Sequence, residues 1–186
     1  WARWQIDWQE QRDETIHHLS FPFEYRVSQK RMMNGVYRAI EERKNIFIQA
    51  PTGTGKTLGT LFPSIKAMGQ GKNGRIFYLT AKTITRSVAE ETSALLYRQG
   101  LRMKFITLTA KEKVCPLDEC QCQPEFCERA KGHFDRVNDA VFDIINHEDG
   151  IRRETILEYS EKHQVCPFEF QLDISLWCDV IIGDYN

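Results

Sequence analysis

The sequence predicts an α/β fold, a parallel sheet flanked by helices and interrupted by a helical insertion that carries cysteines. Three observations predict it. Short apolar runs alternate with amphipathic helical stretches from residue 29 to residue 108, and alternation of that kind makes a parallel sheet with covered faces. A glycine-rich turn lies between the first apolar run and the next helix. Beyond Ala110 the alternation stops, and about 65 residues pass without a convincing strand.

Each element has its own signal. Residues 1–20 are polar apart from Trp1, Trp4, Ile6, Trp8 and Ile16; the tryptophan spacing lines one face of a helix and reads as a helical arm or connector. Residues 29–43 place Met32, Met33, Val36, Tyr37 and Ile40 at helical spacing. Residues 45–48 read as a short buried strand, and residues 57–68 as a helix that Pro63 should kink. Residues 75–80 form a second buried strand, residues 85–98 a helix stopped by Gly100, and residues 105–108 a third strand. In the insertion, Phe126, Ala130, Phe134, Val137, Val141 and Ile144 predict one long amphipathic helix. Residues 153–163 and 167–176 predict two shorter helices, the second with Pro167 at its first turn. Residues 180–182 return to strand character.

Composition bounds the function. A chain of 186 residues holds one domain with a modest insertion, and 41% apolar with 27% charged residues is globular composition. No apolar run reaches the roughly 18 residues of a membrane span, so no membrane role is expected. The chain opens at Trp1 without a signal peptide or an initiator Met, which suggests a piece of a longer, cytoplasmic protein. A net charge of −1 excludes a polybasic nucleic-acid wrapper. Residues 110–176 hold 8 basic and 15 acidic residues, which leaves the remainder at +6. Two charge regimes suggest two structural units, the larger one basic.

Ala50-Pro51-Thr52-Gly53-Thr54-Gly55-Lys56-Thr57 has the composition and the strand–helix context of a phosphate loop. Gly53 and Gly55 let the backbone turn its N–H groups inward around a phosphate, helped by the dipole of the following helix. Lys56 should reach the β- and γ-phosphates, and the Thr57 hydroxyl should ligate Mg²⁺. This pattern predicts binding of a nucleoside triphosphate.

All six cysteines lie at residue 115 or later. Without a secretory signal, clustered thiols point to a metal or iron–sulfur site rather than to disulfides. Cys166 has no close partner at its own end, and that lopsided layout favours an iron–sulfur cluster over zinc, although spacing alone does not settle it. Cys120 competes with Cys122 as a ligand, and Cys178 reads as a small buried hydrophobe.

These residues resemble the XPD/DinG-type iron–sulfur DNA helicases of superfamily 2, and bacterial members in particular. Phe21-Pro22-Phe23-Glu24-Tyr25-Arg26-Val27-Ser28-Gln29 resembles the Q-motif region. Ala50 to Thr57 resembles motif I, with Ala50 in place of the first glycine as in helicase-type loops, and Tyr78-Leu79-Thr80-Ala81-Lys82-Thr83 resembles motif Ia. Lys113-Val114-Cys115-Pro116, Cys122-Gln123-Pro124-Glu125-Phe126-Cys127 and Val165-Cys166-Pro167-Phe168-Glu169 follow in the family's order.

The resemblance implies a partial RecA-like P-loop NTPase domain in residues 21–109 and 177–186, part of motor domain 1, with the insertion at 110–176. It implies ATP and Mg²⁺ at the P-loop, adenine recognition by Arg26 and Gln29, and contacts from Thr80, Lys82 and Thr83 to single-stranded DNA. It implies a 4Fe-4S cluster on Cys115, Cys122, Cys127 and Cys166, which staples the insertion as a wedge or clamp beside the DNA. Arg129, Lys131 and Arg136 are weaker candidates for a basic path there, and His133, His147 and His163 read as surface helix positions. Translocation would run 5′ to 3′ in the full protein.

The family's Asp-Glu-x-His carboxylates are absent from these residues, as is a second motor domain, and Gly183-Asp184-Tyr185-Asn186 resembles the segment that precedes that motif. This chain is therefore expected to bind nucleotide without hydrolysing it or unwinding DNA. The alternative reading is a P-loop nucleic-acid-binding or regulatory domain with a structural zinc site, in which Asp184 would be the magnesium carboxylate.

Overall fold

The structure, a computed structural model, describes residues 1–81 and 83–185, except for the side chain of Thr83. The described elements run α1 (Ala2–His18), α2 (Val27–Glu41), α3 (Lys56–Met68), β1 (Ile76–Thr80), α4 (Thr83–Arg98), β2 (Phe105–Thr107), α5 (Lys111–Val114), α6 (His133–His147), β3 (Gly150–Ile151), α7 (Arg153–His163), α8 (Pro167–Ser175) and β4 (Val180–Asp184). They fall into two compact units, residues 1–76 with 87–102, and residues 77–86 with 103–186.

In the first unit α2 and α3 pack closely, and α1 lies against α3. Residues 1–20 were expected to form an arm, but α1 is part of a core. Ile16 is 1% exposed, and Trp8, stacked on Trp4, is buried beneath the Arg102 guanidinium. The Lys66 ammonium donates to the carbonyls of Ile16 at 2.7 Å and His17 at 3.1 Å. A cation at a helix C-terminus satisfies carbonyls that have no partner within the helix. The helix α3 runs through Pro63 without a break. On either side of Pro63, Thr60 donates to the Lys56 carbonyl and Ser64 to the Thr60 carbonyl.

Residues 45–48 are the clearest departure from expectation. They form no ladder with any described strand, and Phe47 is 98% exposed. Apolar, β-branched composition fits a pleated surface, but pairing requires a neighbour, and composition cannot supply one.

The second unit holds a four-stranded parallel sheet in the order β1-β4-β2-β3. β2 is central and pairs in parallel with β4, Phe105 opposite Val180, and with β3, Phe105 opposite Gly150. The edge strand β1 is only half buried, because Phe77 and Leu79 face outward, whereas β4 is buried from Val180 to Gly183. Helix α8 packs on β2, and α6, α7 and α8 pack on one another. Past the end of β2 the Gln171 side chain takes the place of a strand neighbour. It accepts from the Thr109 N–H at 2.9 Å and donates to the Thr109 carbonyl at 2.7 Å.

The helix expected from Phe126 onward begins only at His133. Residues 124–132 are turns, Gly132 has φ +73°, and Phe126 and Phe134 are exposed instead of forming the start of a core stripe. The left-handed backbone at Gly132 interrupts the 3.6-residue period that the apolar spacing suggested.

Candidate functional site

The glycine-rich loop enters α3 through Gly55, whose φ of +73° is left-handed and whose carbonyl accepts the first helical bond, from the Gly59 N–H at 2.8 Å. Gly53, at φ +79°, makes the other sharp turn. The Lys56 ammonium folds back over the loop and donates to the carbonyls of Pro51 at 2.8 Å and Ala50 at 3.1 Å. The Thr54 hydroxyl donates to the Pro51 carbonyl at 2.9 Å. Thr52 is exposed and Thr57 half-buried at the helix start.

Gln29 is buried on the first turn of α2 and lies directly against the loop. A Cβ at position 55 would stand 2.8 Å from its Nε2. A groove of about 1040 Å³ runs along this contact, lined by Gln29, Met32, Phe47, Ala50, Pro51 and Thr54. Arg26 is the exposed N-cap of α2 and is not among the groove's lining residues. Just upstream, in the segment that resembles the Q-motif region, Tyr25 stacks on Phe21 with 4.6 Å between ring centres.

The residues assigned to DNA fare differently. Thr80 is 5% exposed at the end of β1, and its hydroxyl donates to Asp184 Oδ1 at 3.3 Å. The hydroxyl assigned to DNA is thus bonded to a carboxylate in this structure. Lys82 lies outside the described residues. Thr83 opens α4, and its side chain is likewise outside the description. Asp184 also pairs with Arg86 at 3.4 Å, so its carboxylate is already neutralised by a protein cation. Arg129 and Arg136 are engaged as well. Arg129 bonds Ser160 and Glu161, and Arg136 donates to the carbonyls of Gln164 and Lys131. They tie the turn before α6 to the end of α7 and are not offered as a basic path.

Cys115, Cys122, Cys127 and Cys166 line one cavity of about 370 Å³ in the second unit. They arrive from three separate segments: the end of α5, the turns before α6, and the residue that caps α8. Cys120 and Cys122 are both exposed; Cys120 is not among the lining residues but stands in hydrogen-bond contact with the Cys115 thiol, and Cys178 is buried elsewhere with its Sγ near the Ile174 carbonyl. Burial pushes the Cys166 thiol up, while the Glu169 and Phe168 N–H groups in the first turn of α8 pull it back toward the thiolate. Lys111 stands beside Cys122, whose sulfur holds the ammonium above its usual range. His133 lines the cavity too and is 3% exposed, which corrects its reading as a surface position. His147 and His163 both bond Asp143.

Residues 27–127 match the DEAD/DEAH box helicase family. This chain belongs to that family. Among its relatives, a probable ATP-dependent helicase of Methanocaldococcus jannaschii is 39% identical over 89 residues, 46% of this chain and 13% of the relative. The ATP-dependent DNA helicase RecG of Treponema pallidum is 31% identical over 99 residues, 52% of this chain and 14% of the relative. A regulator of telomere elongation helicase 1 homolog of Arabidopsis thaliana is 22% identical across 90% of this chain and 20% of the relative. The chain thus spans a fifth or less of the length of these curated relatives. The match encloses Gln29, the whole loop from Ala50 to Thr57, and three of the four cavity cysteines.

The fit of a metal group to this helicase-family chain can be tested on the cavity itself. Four thiols converge on one enclosed space, with a cation at Lys111 to offset thiolate charge. Among the described residues no three His, Cys, Asp or Glu side chains are close enough together to hold a single ion. Thiols are the donors that an iron–sulfur group uses, and four of them line this one cavity. No described helix is long and apolar enough to cross a membrane.

Proposed function

We propose that this chain is the N-terminal part of an ATP-dependent DNA helicase of the XPD/DinG iron–sulfur type, with a P-loop for ATP–Mg²⁺ and a cysteine-rich insertion that holds a 4Fe-4S cluster. The observation that carries the iron–sulfur reading is the convergence of Cys115, Cys122, Cys127 and Cys166 on one cavity although 38 residues separate the last two. A lone zinc would need its thiolates within about 4 Å of one another, given Zn–S distances near 2.3 Å. No three such groups stand that close among the described residues, and we read the four thiols as ligands of a polynuclear group.

Each part of the chain has its task. Lys56 and the loop amides bind the phosphates, Thr57 takes the magnesium ion, and Gln29, wedged against Gly55, reads the base and couples it to the loop. The 4Fe-4S group, when bound, cross-links the three segments that carry its ligands, and it stabilises an insertion that has only a small core of its own. Thr80, Lys82 and Thr83 are the proposed contacts to the backbone of single-stranded DNA. In the full protein, ATP turnover would drive movement along single-stranded DNA in the 5′ to 3′ direction.

The test is the iron, acid-labile sulfide and zinc content of protein purified without oxygen, with its visible spectrum. The expected result is about four irons and four sulfides per chain with a broad charge-transfer band. One zinc without sulfide would overturn the iron–sulfur assignment and favour a structural zinc module.

A further inference from the structure

We propose that His133 is the positioning residue of the four-thiol cavity, holding Cys166 through its peptide N–H, with the Asp173 carboxylate near the other ring nitrogen. The inference rests on reading the cavity as a metal site and assigns a residue to it that the cysteine pattern does not contain.

His133 is the first residue of α6, lines the cavity and is almost wholly buried. Its Nδ1 accepts the Cys166 N–H at 3.3 Å. A neutral imidazole that accepts at Nδ1 carries its proton on Nε2. That Nε2 is buried without a hydrogen-bond partner among the described residues and stands 3.6 Å from Asp173 Oδ2. Asp173 belongs to α8, and Cys166 is the N-cap of the same helix. One hydrogen bond thus ties the start of α6 to the cap of α8, and Asp173 stands near the other ring nitrogen without bonding it.

Cys166 is the thiol with most need of such a tie. Cys115, Cys122 and Cys127 sit within one short stretch, whereas Cys166 reaches the cavity only because α6 and α7 fold back between them. Its sulfur faces the cavity only while its backbone is fixed. Removing the acceptor would leave the half-buried Cys166 N–H without its bond to His133 and would free the residue to swing. Partners that orient a metal ligand from outside typically set 10–100-fold of metal affinity.

The test compares His133→Leu, His133→Asn and Asp173→Asn in the whole chain, by two readouts other than activity. The first is the rate at which a ferrous chelator strips iron from protein reconstituted with iron and sulfide. The second is the alkylation rate of each cysteine in metal-free protein, resolved by peptide mass spectrometry. Asn carries Oδ1 close to where His carries Nδ1, so it keeps the acceptor.

Expected for His133→Leu are iron loss about 10–100-fold faster and Cys166 alkylation about tenfold faster, with Cys115, Cys122 and Cys127 unchanged. His133→Asn should stay near wild type, and Asp173→Asn should fall between. The proposal is overturned if the Leu variant leaves Cys166 at its wild-type rate, if Asn fails as badly as Leu, or if all four thiols quicken together with a lowered melting temperature. A wild-type chain that takes up no iron and sulfide, yet still shows the selective Cys166 response, would refute the iron–sulfur reading and leave the positioning role standing.

Discussion

Two residues in the nucleotide loop can be tested singly. The Lys56 ammonium is exposed and bonds only carbonyls of its own loop among the contacts described. Lys56→Ala should therefore leave stability within about 0.5 kcal/mol while weakening a fluorescent ATP analogue roughly 10–100-fold, the worth of a charge-assisted bond. Equal affinity in the two proteins would remove Lys56 from the phosphate site. Gly55 is constrained twice, by its positive φ and by the Gln29 amide 2.8 Å from where a Cβ would stand. Gly55→Ala should cost about 1–2 kcal/mol from the backbone alone, and more from the clash. A double-mutant cycle with Gln29→Ala should recover the clash and leave the backbone cost. Additive effects would show that Gln29 does not press on the loop.

Among elements, the α6–α7 pair is held by charge. Asp143 on α6 accepts from Lys162 and His163 on α7, each at 2.6 Å, and the Lys162 bond above all holds its carboxyl below the usual 3.8. A depressed carboxylate stabilises the fold above its unfolded value, so this contribution is present at neutral pH and lost as pH falls below about 4. Tyr159 on α7 acts at the other limit. Burial, reinforced by Glu148, pushes its hydroxyl up to about 12 from 10.0. The unfolded phenol ionises first, so stability is steady below pH 10 and declines from there toward 12. Urea titrations across pH should show both losses, with the acid limb shrinking in Asp143→Asn at a cost of about 1 kcal/mol near neutrality. An unchanged acid limb in that variant would exclude Asp143 as its source. On α1, Ile16→Ala should cost about 3 kcal/mol, because that side chain is fully buried. A free arm would lose almost nothing.

For the molecule as a whole, the insertion and the nucleotide loop should respond separately to their ligands. The span from Cys115 to Gly132 has neither helix nor strand, so its order depends on turns and on whatever binds its thiols. Iron removal should speed proteolysis between residues 115 and 132 about tenfold or more and leave ATP-analogue binding intact. Cleavage at an unchanged rate would show that the span needs no metal group. The absence of an Asp-Glu-x-His carboxylate pair from these residues gives a further expectation, nucleotide binding without steady phosphate release. DNA-stimulated turnover by these 186 residues would refute it.

The nucleotide loop, the parallel α/β class and most helices were legible in the sequence, because they depend on local chemistry. Glycine permits Gly53 and Gly55 to turn, and the apolar spacing of residues 153–163 matches α7 as observed. What needed distant partners was not legible. Residues 45–48 have the composition of a strand, yet they pair with no described neighbour. Strand β3 is two residues long and exists only because β2 lies beside it. The charge of Lys104, 1% exposed, is offset by Asp149 at 2.6 Å and by the Glu148 carbonyl at 2.7 Å. The cysteine spacing singled out thiols that the turns before α6 bring, with Cys166, to the lining of one cavity. His133 looked like any surface histidine until α8 closed over it. By itself the sequence determined the phosphate-loop signature and the set of thiols, since residue type and local backbone suffice for that. Only the tertiary structure decided which of those groups meet, because burial and convergence are properties of segments that are far apart in the chain.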